Sequence, residues 1–366
     1  MNPLSEIIRR EIAQRGVLSF ARFMELALYC PKHGYYETKK DNPGRHGDFY
    51  TSVGVGEVFG QLLAFQFAGW LEEVRMADGG LRIVEAGAHD GTLARDILGW
   101  LQLRRPQLFR QVEYWLVEPS VQRHRWQRET LKDFAPRVRW FSDFDGLKSG
   151  TQSPGWAGII FSNELLDAMP IHRFSWDAAR KIWFEWGVSI DGERFVWTRL
   201  PDGIAASIFD LPSSPELLAV LPDGYIIETC PAAENWWRKA AAILERGKLV
   251  TIDYGLNASE LISPERPHGT LRAYSRHHGS DDVLANVGEQ DLTAHVNFPG
   301  IQSAGESAGL TTEIFQTQSQ FLTQILEKGL KGDSFGEWNT NQTRQFQTLT
   351  HPEHLGRAFR VLVQSR

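Results

Sequence analysis

The sequence predicts an α/β protein whose parallel, doubly wound sheet is covered by helices on both faces. After Gly80, short apolar runs alternate with stretches of helical periodicity, the pattern of successive strands and crossover helices. Several of these runs end in an acidic residue, at the edge of the sheet where such folds bind their ligands. The predicted strands are LRIVEAG, VEYWLVEP, RVRWFSD, WAGIIFSNELLD, GKLVTIDYG, TTEIFQTQ and FRVLVQS.

The chain before this pattern, residues 1–80, is predicted to be a helical region followed by a loop. Ser19 can cap a helix that begins at Phe20 and has its apolar side chains on one face, and Pro31 ends it. Residues 31–51 are rich in glycine and turn formers and predict an ordered loop. The run GEVFGQLLAFQFAGWLEEV then predicts a second helix.

Residues 81–366 are predicted to form the main domain, with two elaborations of the sheet. Two β-rich runs flank the turn DGE within residues 171–225, which predicts a β-rich hairpin insertion. Residues 256–300 are rich in glycine and histidine and too long for an idle connection. We therefore expect them to form a loop region on the substrate side.

The composition limits the class of protein. Cys30 and Cys230 are the only cysteines, so neither a disulfide framework nor a CxxC metal site is expected. The formal net charge of -6 argues against a nucleic-acid partner. No apolar run reaches the roughly 20 residues that span a bilayer, and the first residues lack the features of a signal or transit peptide. These observations predict a cytoplasmic protein that binds no metal.

The segment IVEAGAHDG places Glu85 at the end of the first strand, before Gly87 and Gly91. The spacing differs from the G-x-G-x-x-G fingerprint of dinucleotide folds, and a carboxylate there would repel a phosphate. An acid before a G-x-x-x-G turn suits S-adenosylmethionine, because this cofactor has a sulfonium and an amino acid but no phosphate. An ordinary tight strand-to-helix turn is the alternative.

The next two strands also end in acids. Glu118 follows the second strand, where a carboxylate can accept both ribose hydroxyls of a nucleoside. Asp143 follows the third strand and is placed to accept a hydrogen bond from the adenine amino group. Either acid alone is also typical of a solvated strand end, but three acids after successive strands favour a nucleoside site.

The segment FSNELLDAMP after the fourth strand places Asn163, Glu164 and Asp167 at the same edge of the sheet. Polar groups there are predicted to meet the methyl group that is transferred, in a reaction that needs positioning more than acid–base help. Carboxylates would orient an arginine guanidinium through paired hydrogen bonds. The alternative is a helix N-terminus whose acids interact with the helix dipole.

Several motifs together resemble the MidA-like family of S-adenosylmethionine-dependent methyltransferases, from about residue 5 to the end of the chain. The motifs are GDFYTS, EAGAHDGTLARDIL, SNELLDAMPIHRF, IDYG, GTLRAYSRHH, GEQDLTAHVNF and THPEHLGRAFRVL. The block GEQDLTAHVNF is the most specific, since general methyltransferase features do not predict it. The family includes the mitochondrial complex I assembly factor that dimethylates an arginine of a complex I subunit.

The resemblance implies a class I methyltransferase fold, with a Rossmann-like seven-stranded sheet, an N-terminal helical region and a β insertion that forms a lid. It implies methyl transfer from S-adenosylmethionine to a protein side chain, with arginine suggested as the acceptor and S-adenosylhomocysteine as the product. The cofactor would be bound by Gly47, Asp48, Phe49, Tyr50, Thr51, Glu85, Gly87, Gly91 and Glu118, with Asp143 at the adenine. On the substrate side, Asn163, Glu164, Asp167 and His295 would be catalytic, and Asp253, Tyr254, Asp291 and Asn297 would bind the substrate.

The chain departs from the family at His89, where a glycine is usual. A bulky side chain there either narrows the cofactor pocket or points outward, and the first case favours a non-catalytic assembly or interaction protein that keeps the fold. A nicotinamide-dependent oxidoreductase is a third alternative, against which Glu85 and the glycine spacing argue. His295 is alternatively a structural histidine. The sequence leaves the protein substrate unidentified and a homodimer open.

Overall fold

The computed structural model describes residues 2–38, 51–74, 80–149, 156–201, 209, 211–275, 278–332 and 334–366. The chain divides into two compact units, each made of three segments. We call the unit of Lys40–Leu166, Glu234–Gly255 and Phe298–Arg366 the main unit, and the unit of Met1–Lys39, Asp167–Ala233 and Leu256–Asn297 the second unit.

Seven strands of the main unit lie side by side in one sheet, in the order β6-β7-β5-β4-β1-β2-β3. Neighbours from β5 to β3 are parallel, whereas β7 is antiparallel to both β5 and β6. The chain order reverses between β1 and β4, so the ligand-binding switch point of the sheet lies at their carboxyl ends. The strands are β1 (Leu81–Ala86), β2 (Val112–Val117), β3 (Val138–Phe141), β4 (Ala157–Asn163), β5 (Arg246–Leu256), β6 (Thr311–Thr317) and β7 (Phe359–Ser365).

Helices cover this sheet because its central strands are apolar on both faces. Every residue of β4 is buried, as expected for a parallel strand between two helical layers. The rings of Phe67, on the helix Val58–Glu73, and Phe161, on β4, lie 5.0 Å apart in the core. The helices of the main unit are Ser52–Val55, Val58–Glu73, Thr92–Arg104, Pro106–Gln111, Val121–Thr130, Phe144–Ser149, Phe298–Ser307, Gln318–Leu330, Thr340–Thr350 and Leu355–Ala358, with a 3-10 helix at Lys132–Arg137; the helix Pro231–Ile243 begins in the second unit.

The second unit contains a five-stranded antiparallel sheet. Its hairpin pairs Asp191 with Arg194 across a turn in which Gly192 has a φ of 56°, at the DGE turn of the sequence. The strands are Leu18–Ser19, His172–Asp177, Ile182–Asp191, Arg194–Arg199 and Ile226–Thr229, and a smaller sheet has Arg272–Ser275, His278–Ser280 and Asp291–Thr293, with Val296–Asn297 after it. The helices are Pro3–Arg15, Phe20–Tyr29, Tyr35–Thr38, Pro215–Val220 and Ala258–Leu261.

The structure confirms the predicted α/β architecture. The helix Phe20–Tyr29 begins where the sequence predicts, and the hydroxyl of its N-cap, Ser19, accepts a hydrogen bond from the Arg22 N–H at 3.3 Å. The compact units do not divide at residue 80, since residues 1–39 group with parts of the later chain. Of the cofactor-covering loop, Gly47, Asp48, Phe49 and Tyr50 lie outside the described residues.

Candidate active site

The turn after β1 uses three residues with left-handed backbone. Gly87, His89 and Gly91 have φ values of 74°, 46° and 85°. A Cβ atom on Gly87 would lie 2.8 Å from Cδ1 of Leu165, so a glycine lets the segment after β4 pack against this turn. Gly91 is the N-cap of the helix Thr92–Arg104, and the Asp90 carboxylate accepts a hydrogen bond from the first N–H of that helix at 2.9 Å.

Glu85 is the penultimate residue of β1, as predicted at the end of the strand, and is 3% exposed. Its carboxyl accepts a 2.6 Å hydrogen bond from the hydroxyl of Tyr114 on β2. Burial raises the pKa of Glu85 to about 8, with smaller contributions from Asp90 and Asp96, while the Tyr114 hydrogen bond acts in the opposite direction. At neutral pH this carboxyl is therefore mostly protonated in the protein as it stands, so it gives little attraction to a cation.

His89 places a side chain at a position whose backbone favours glycine. Left-handed backbone costs a residue with a Cβ of order 1 kcal/mol. The His89 ring packs edge-on against the indole of Trp126, with 5.8 Å between ring centroids, while its carbonyl accepts a hydrogen bond from Gln127. The side chain is thus directed against the helix Val121–Thr130.

The Glu118 carboxylate lies directly after β2 and already accepts three hydrogen bonds. Oε1 accepts from the Ser120 N–H and from Nε of Arg123, both at 2.9 Å, and Oε2 accepts from the Gln127 amide at 3.2 Å. A carboxylate has about four acceptor positions, so one position on Oε2 remains. The predicted acceptance of both ribose hydroxyls therefore needs a rearrangement, and because Glu118 is 1% exposed, neighbouring groups must also shift to admit a ligand.

Asp143 is exposed at the end of β3. Its Oδ1 accepts a hydrogen bond from the Gly146 N–H at 2.6 Å, which stabilises the first turn of the short helix Phe144–Ser149. The role at an adenine stays a prediction. Thr51, predicted in the same site, is the N-cap of the helix Ser52–Val55 and accepts a hydrogen bond from the Gly54 N–H at 2.8 Å.

Glu164 follows β4 directly and has a left-handed backbone, with φ at 51°. Its N–H donates to the carbonyl of Ile252 at 2.9 Å, which continues the pairing of β4 with β5. Oε1 accepts from the Ser52 N–H at 3.0 Å and from the Asn163 amide at 2.9 Å. A strained residue at a strand end, with its carboxylate fixed by two donors, is a feature typical of functional sites.

Asp253, predicted to bind substrate, is fully buried on β5. Oδ2 accepts from the N–H groups of Leu165 and Leu166 at 3.2 and 2.8 Å, and Oδ1 accepts from the Tyr254 N–H at 2.8 Å. The carboxylate therefore fixes the segment that follows Glu164, a role that the sequence reasoning did not assign. The ring of Tyr254 packs on Phe359, with 3.9 Å between centroids.

Two further predicted acids belong to the second unit. Oδ2 of Asp167 accepts from the Thr293 hydroxyl at 2.9 Å, and its carbonyl accepts from the Ala294 N–H. Asp291 is buried, and its Oδ1 accepts from the Tyr36 hydroxyl at 2.8 Å. Burial, and then the Asp291 charge, raise the pKa of Tyr36 well above its usual range. The structure thus places Asp167 next to the end of the GEQDLT motif within this unit.

The remaining predicted residues, His295 and Asn297, lie at the end of the same segment. His295 is exposed, and its backbone N–H donates to the Thr270 hydroxyl of the GTLRAYS motif at 2.9 Å. Asn297 is half-buried. The sequence did not predict that Tyr36 and Gln127 would hydrogen-bond predicted site residues. The only signal for Tyr36 is its place in a turn-rich segment, and Gln127 lies in a very polar helix, where a glutamine looks solvent-exposed.

The residues around β1 and β2 fit a nucleoside ligand. The turn after β1 is free of bulky side chains at Gly87 and Gly91, and Glu118 offers a buried acceptor for a hydroxyl. Within the described residues no group of three or more His, Cys, Asp or Glu side chains is placed to hold a metal ion. No helix in the described ranges is long and apolar enough to cross a membrane.

An open sheet with its switch point between β1 and β4, and an acid directly after the neighbouring strand β2, fits the S-adenosylmethionine-dependent methyltransferase class. The chain belongs to the methyltransferase family whose sequence profile, described as S-adenosyl-L-methionine-dependent methyltransferase, matches residues 62–316. The predicted family, enzyme class and cofactor are confirmed.

Solved structures and curated relatives agree with this assignment. A protein from Burkholderia thailandensis with bound S-adenosyl-homocysteine is 32% identical, with a TM-score of 0.81 over 99% of this chain and 92% of that chain. The mitochondrial protein arginine methyltransferase NDUFAF7 of Danio rerio is 27% identical over 95% of this chain and 83% of its own length. Its Homo sapiens counterpart is 28% identical over 81% of this chain and 68% of its own length.

Proposed function

We propose that the enzyme methylates an arginine side chain of a protein. The observation that supports an arginine acceptor most directly is the Glu164 carboxylate, which the Ser52 N–H and the Asn163 amide hold at the carboxyl end of β4. A fixed carboxylate can orient a guanidinium through charge-assisted hydrogen bonds. Relatives that align with nearly the whole chain are named protein arginine methyltransferases.

S-adenosylmethionine supplies an electrophilic methyl group. In the transfer, a C–N bond to the guanidinium nitrogen forms as the C–S bond breaks, S-adenosylhomocysteine leaves as a neutral thioether, and the nitrogen loses a proton. Glu164 would orient the acceptor nitrogen and offset the guanidinium charge until that proton leaves, so its contribution is larger in the transition state than in cofactor binding.

The other predicted roles are part of the same proposal. Asp167 and His295 would be catalytic, and Asp253, Tyr254, Asp291 and Asn297 would bind the substrate. Gly47 to Thr51 would cover the cofactor, and Glu85, Gly87, Gly91 and Asp143 would contact it. The order of the seven strands supports the class I form of the fold. A cytoplasmic location and a homodimer are further proposals.

The cofactor site is tested with Glu118→Ala, and with Glu118→Gln in case the alanine variant fails to fold. Loss of one charged hydrogen bond costs roughly 1.5–3 kcal/mol, so the affinity for S-adenosylhomocysteine should fall by about tenfold or more. Calorimetric titration measures the affinity of each variant for S-adenosylhomocysteine. Wild-type affinity in a folded variant would remove Glu118 from the site.

The acceptor is tested by methyl transfer from labelled S-adenosylmethionine to a cell extract, followed by hydrolysis and separation of methylated arginines. Glu164→Gln and Asp167→Asn should lower turnover and keep the affinity for S-adenosylhomocysteine near that of the wild type. Glu353→Gln, an exposed acid on the main unit, is the control. Full transfer in both variants would refute the catalytic assignment, and label in another amino acid would refute the arginine acceptor.

A further inference from the structure

Gln127 is fully buried although it lies in the helix Val121–Thr130, one of the most polar of the chain. Glutamine is rarely buried in a protein unless its amide is hydrogen-bonded. No feature of the sequence marks this residue. Its surroundings connect it to the cofactor site.

The amide of Gln127 joins three segments of the main unit. Nε2 donates to the carbonyl of His89 at 3.0 Å and to Oε2 of Glu118 at 3.2 Å. Oε1 accepts from the indole N–H of Trp140 on β3 at 3.0 Å, which determines which end of the amide faces Glu118. A primary amide has two N–H donors, and here one is directed to the turn after β1 and the other to the acid after β2.

The backbone of Gln127 also lies close to this turn. A Cβ atom on Gly91 would be 3.4 Å from Cα of Gln127, so the helix packs directly on the glycine. The contact brings the amide within reach of His89 and Glu118 and leaves it little room to move. A shift of the helix would therefore move both cofactor-binding segments.

We propose that Gln127 is a positioning residue for the cofactor: it fixes the turn after β1 relative to the Glu118 carboxylate and directs the remaining acceptor position of Oε2 towards the ribose. The inference rests on the proposed role of Glu118 as the ribose acid. Ser120 and Arg123 occupy Oε1, so the orientation of Oε2 depends on Gln127.

Two substitutions test the proposal by calorimetric titration with S-adenosylhomocysteine. Gln127→Leu removes the amide and keeps the bulk, and the affinity should fall by about tenfold or more, as expected for the loss of hydrogen bonds to a charged group. Gln127→Glu puts a second carboxyl beside Oε2 of Glu118 and the carbonyl of His89. Two such carboxyls share a proton, so the affinity of this variant should be closest to wild type at acid pH and decrease as the pH rises.

Wild-type protein measured over the same pH range is the baseline, since other groups near position 127 also titrate. The charged and titratable groups on the surrounding segments are His89, Asp90, Glu118, Arg123, His124, Arg128 and Lys132. These groups are present in both the wild type and Gln127→Glu. The difference between their pH profiles of S-adenosylhomocysteine affinity therefore reports the ionisation of the carboxyl introduced at position 127.

Gln364 of β7 offers a matched control in the same unit. It is also fully buried, its Nε2 donates to the Gln302 carbonyl and the Thr312 hydroxyl at 2.9 Å each, and its Oε1 accepts from the indole N–H of Trp237 at 2.7 Å. Gln364→Leu and Gln364→Glu should lower the melting temperature as the Gln127 variants do. Neither should change the affinity for S-adenosylhomocysteine or its pH profile.

Trp140→Phe provides a milder variant in case the Gln127 replacements do not fold. It removes the N–H that orients the Gln127 amide, and the affinity should fall a few-fold. If Glu118→Ala binds S-adenosylhomocysteine like the wild type, the proposed ribose site itself fails. If Glu118→Ala weakens binding but folded Gln127 variants, or Trp140→Phe where those do not fold, bind like the wild type at every pH, the positioning role is overturned.

Discussion

Replacement of Glu85 by glutamine is expected to remove a pH-dependent loss of stability. Burial holds the pKa of Glu85 at about 8, and Asp90 and Asp96 add to the rise, although the Tyr114 hydroxyl hydrogen bond lowers it. The folded protein therefore keeps this proton up to about pH 8, whereas the unfolded chain loses it near the ordinary value of 4.5. The folded state binds the proton more tightly over this whole range.

The sign and size of the effect follow from that difference. For an acid whose pKa is raised on folding, the stability is fully present below the unfolded pKa and is lost as the pH rises through the folded pKa. Each pKa unit is worth about 1.36 kcal/mol. The difference between the two pKa values of Glu85 thus corresponds to about 5 kcal/mol in all, of which about 3 kcal/mol is lost by neutral pH.

The assay is urea unfolding of the wild type, Glu85→Gln and Glu353→Gln between about pH 5 and about pH 8. Glutamine accepts the Tyr114 hydrogen bond as the protonated carboxyl does and cannot ionise. The stability advantage of Glu85→Gln over the wild type should therefore grow by about 3 kcal/mol across this range. Glu353→Gln should show no such growth. An advantage that is the same at every pH would refute the conclusion that Glu85 is protonated in the native protein.

Two further substitutions test the local geometry of the site. His89→Gly should relieve left-handed backbone strain, so we expect a free energy of unfolding equal to the wild type or up to about 1 kcal/mol higher, and an unchanged affinity for S-adenosylhomocysteine; a strong gain in that affinity would mean that His89 narrows the pocket. Asp253→Asn leaves one acceptor oxygen for three backbone N–H groups, which should cost about 2–4 kcal/mol in urea unfolding; wild-type stability would show that those hydrogen bonds are dispensable.

Hydrophobic pattern and strand-end chemistry predicted much of this fold and part of the site. The runs that form β1, β2, β4 and β5 are largely apolar because helices cover both faces of the sheet there, so their burial is visible in the sequence, whereas only one residue of β3 is buried. The N-cap at Ser19 was equally visible, since the hydroxyl acts on its own helix. These features depend on neighbours in the sequence.

Features that depend on distant neighbours could not be predicted. The helix Val121–Thr130 is so polar that Gln127 looks solvent-exposed, and only the packing of this helix on Gly91 buries it. An acid at the end of a strand, such as Asp253, looks the same in sequence whether it faces a ligand or backbone N–H groups. Which of the two an acid meets depends on the direction of its side chain, and that direction cannot be read from the sequence.

Glu85, Asp253 and Glu118 all lie at or near strand ends and look alike in the sequence. In the structure they differ in the hydrogen-bond donors that surround each carboxyl. Glu85 receives one hydroxyl donor in an apolar core and keeps its proton at neutral pH. Asp253 receives three backbone N–H groups and uses both oxygens in holding the chain after β4. Glu118 also accepts three hydrogen bonds, two on Oε1 and one on Oε2, but two of its donors are the side chains of Arg123 and Gln127 rather than backbone N–H groups. Among these three acids, only Glu118 is held by side chains of the helix Val121–Thr130, so the packing of that helix, through Gln127, sets the direction of Oε2 that we propose for the ribose.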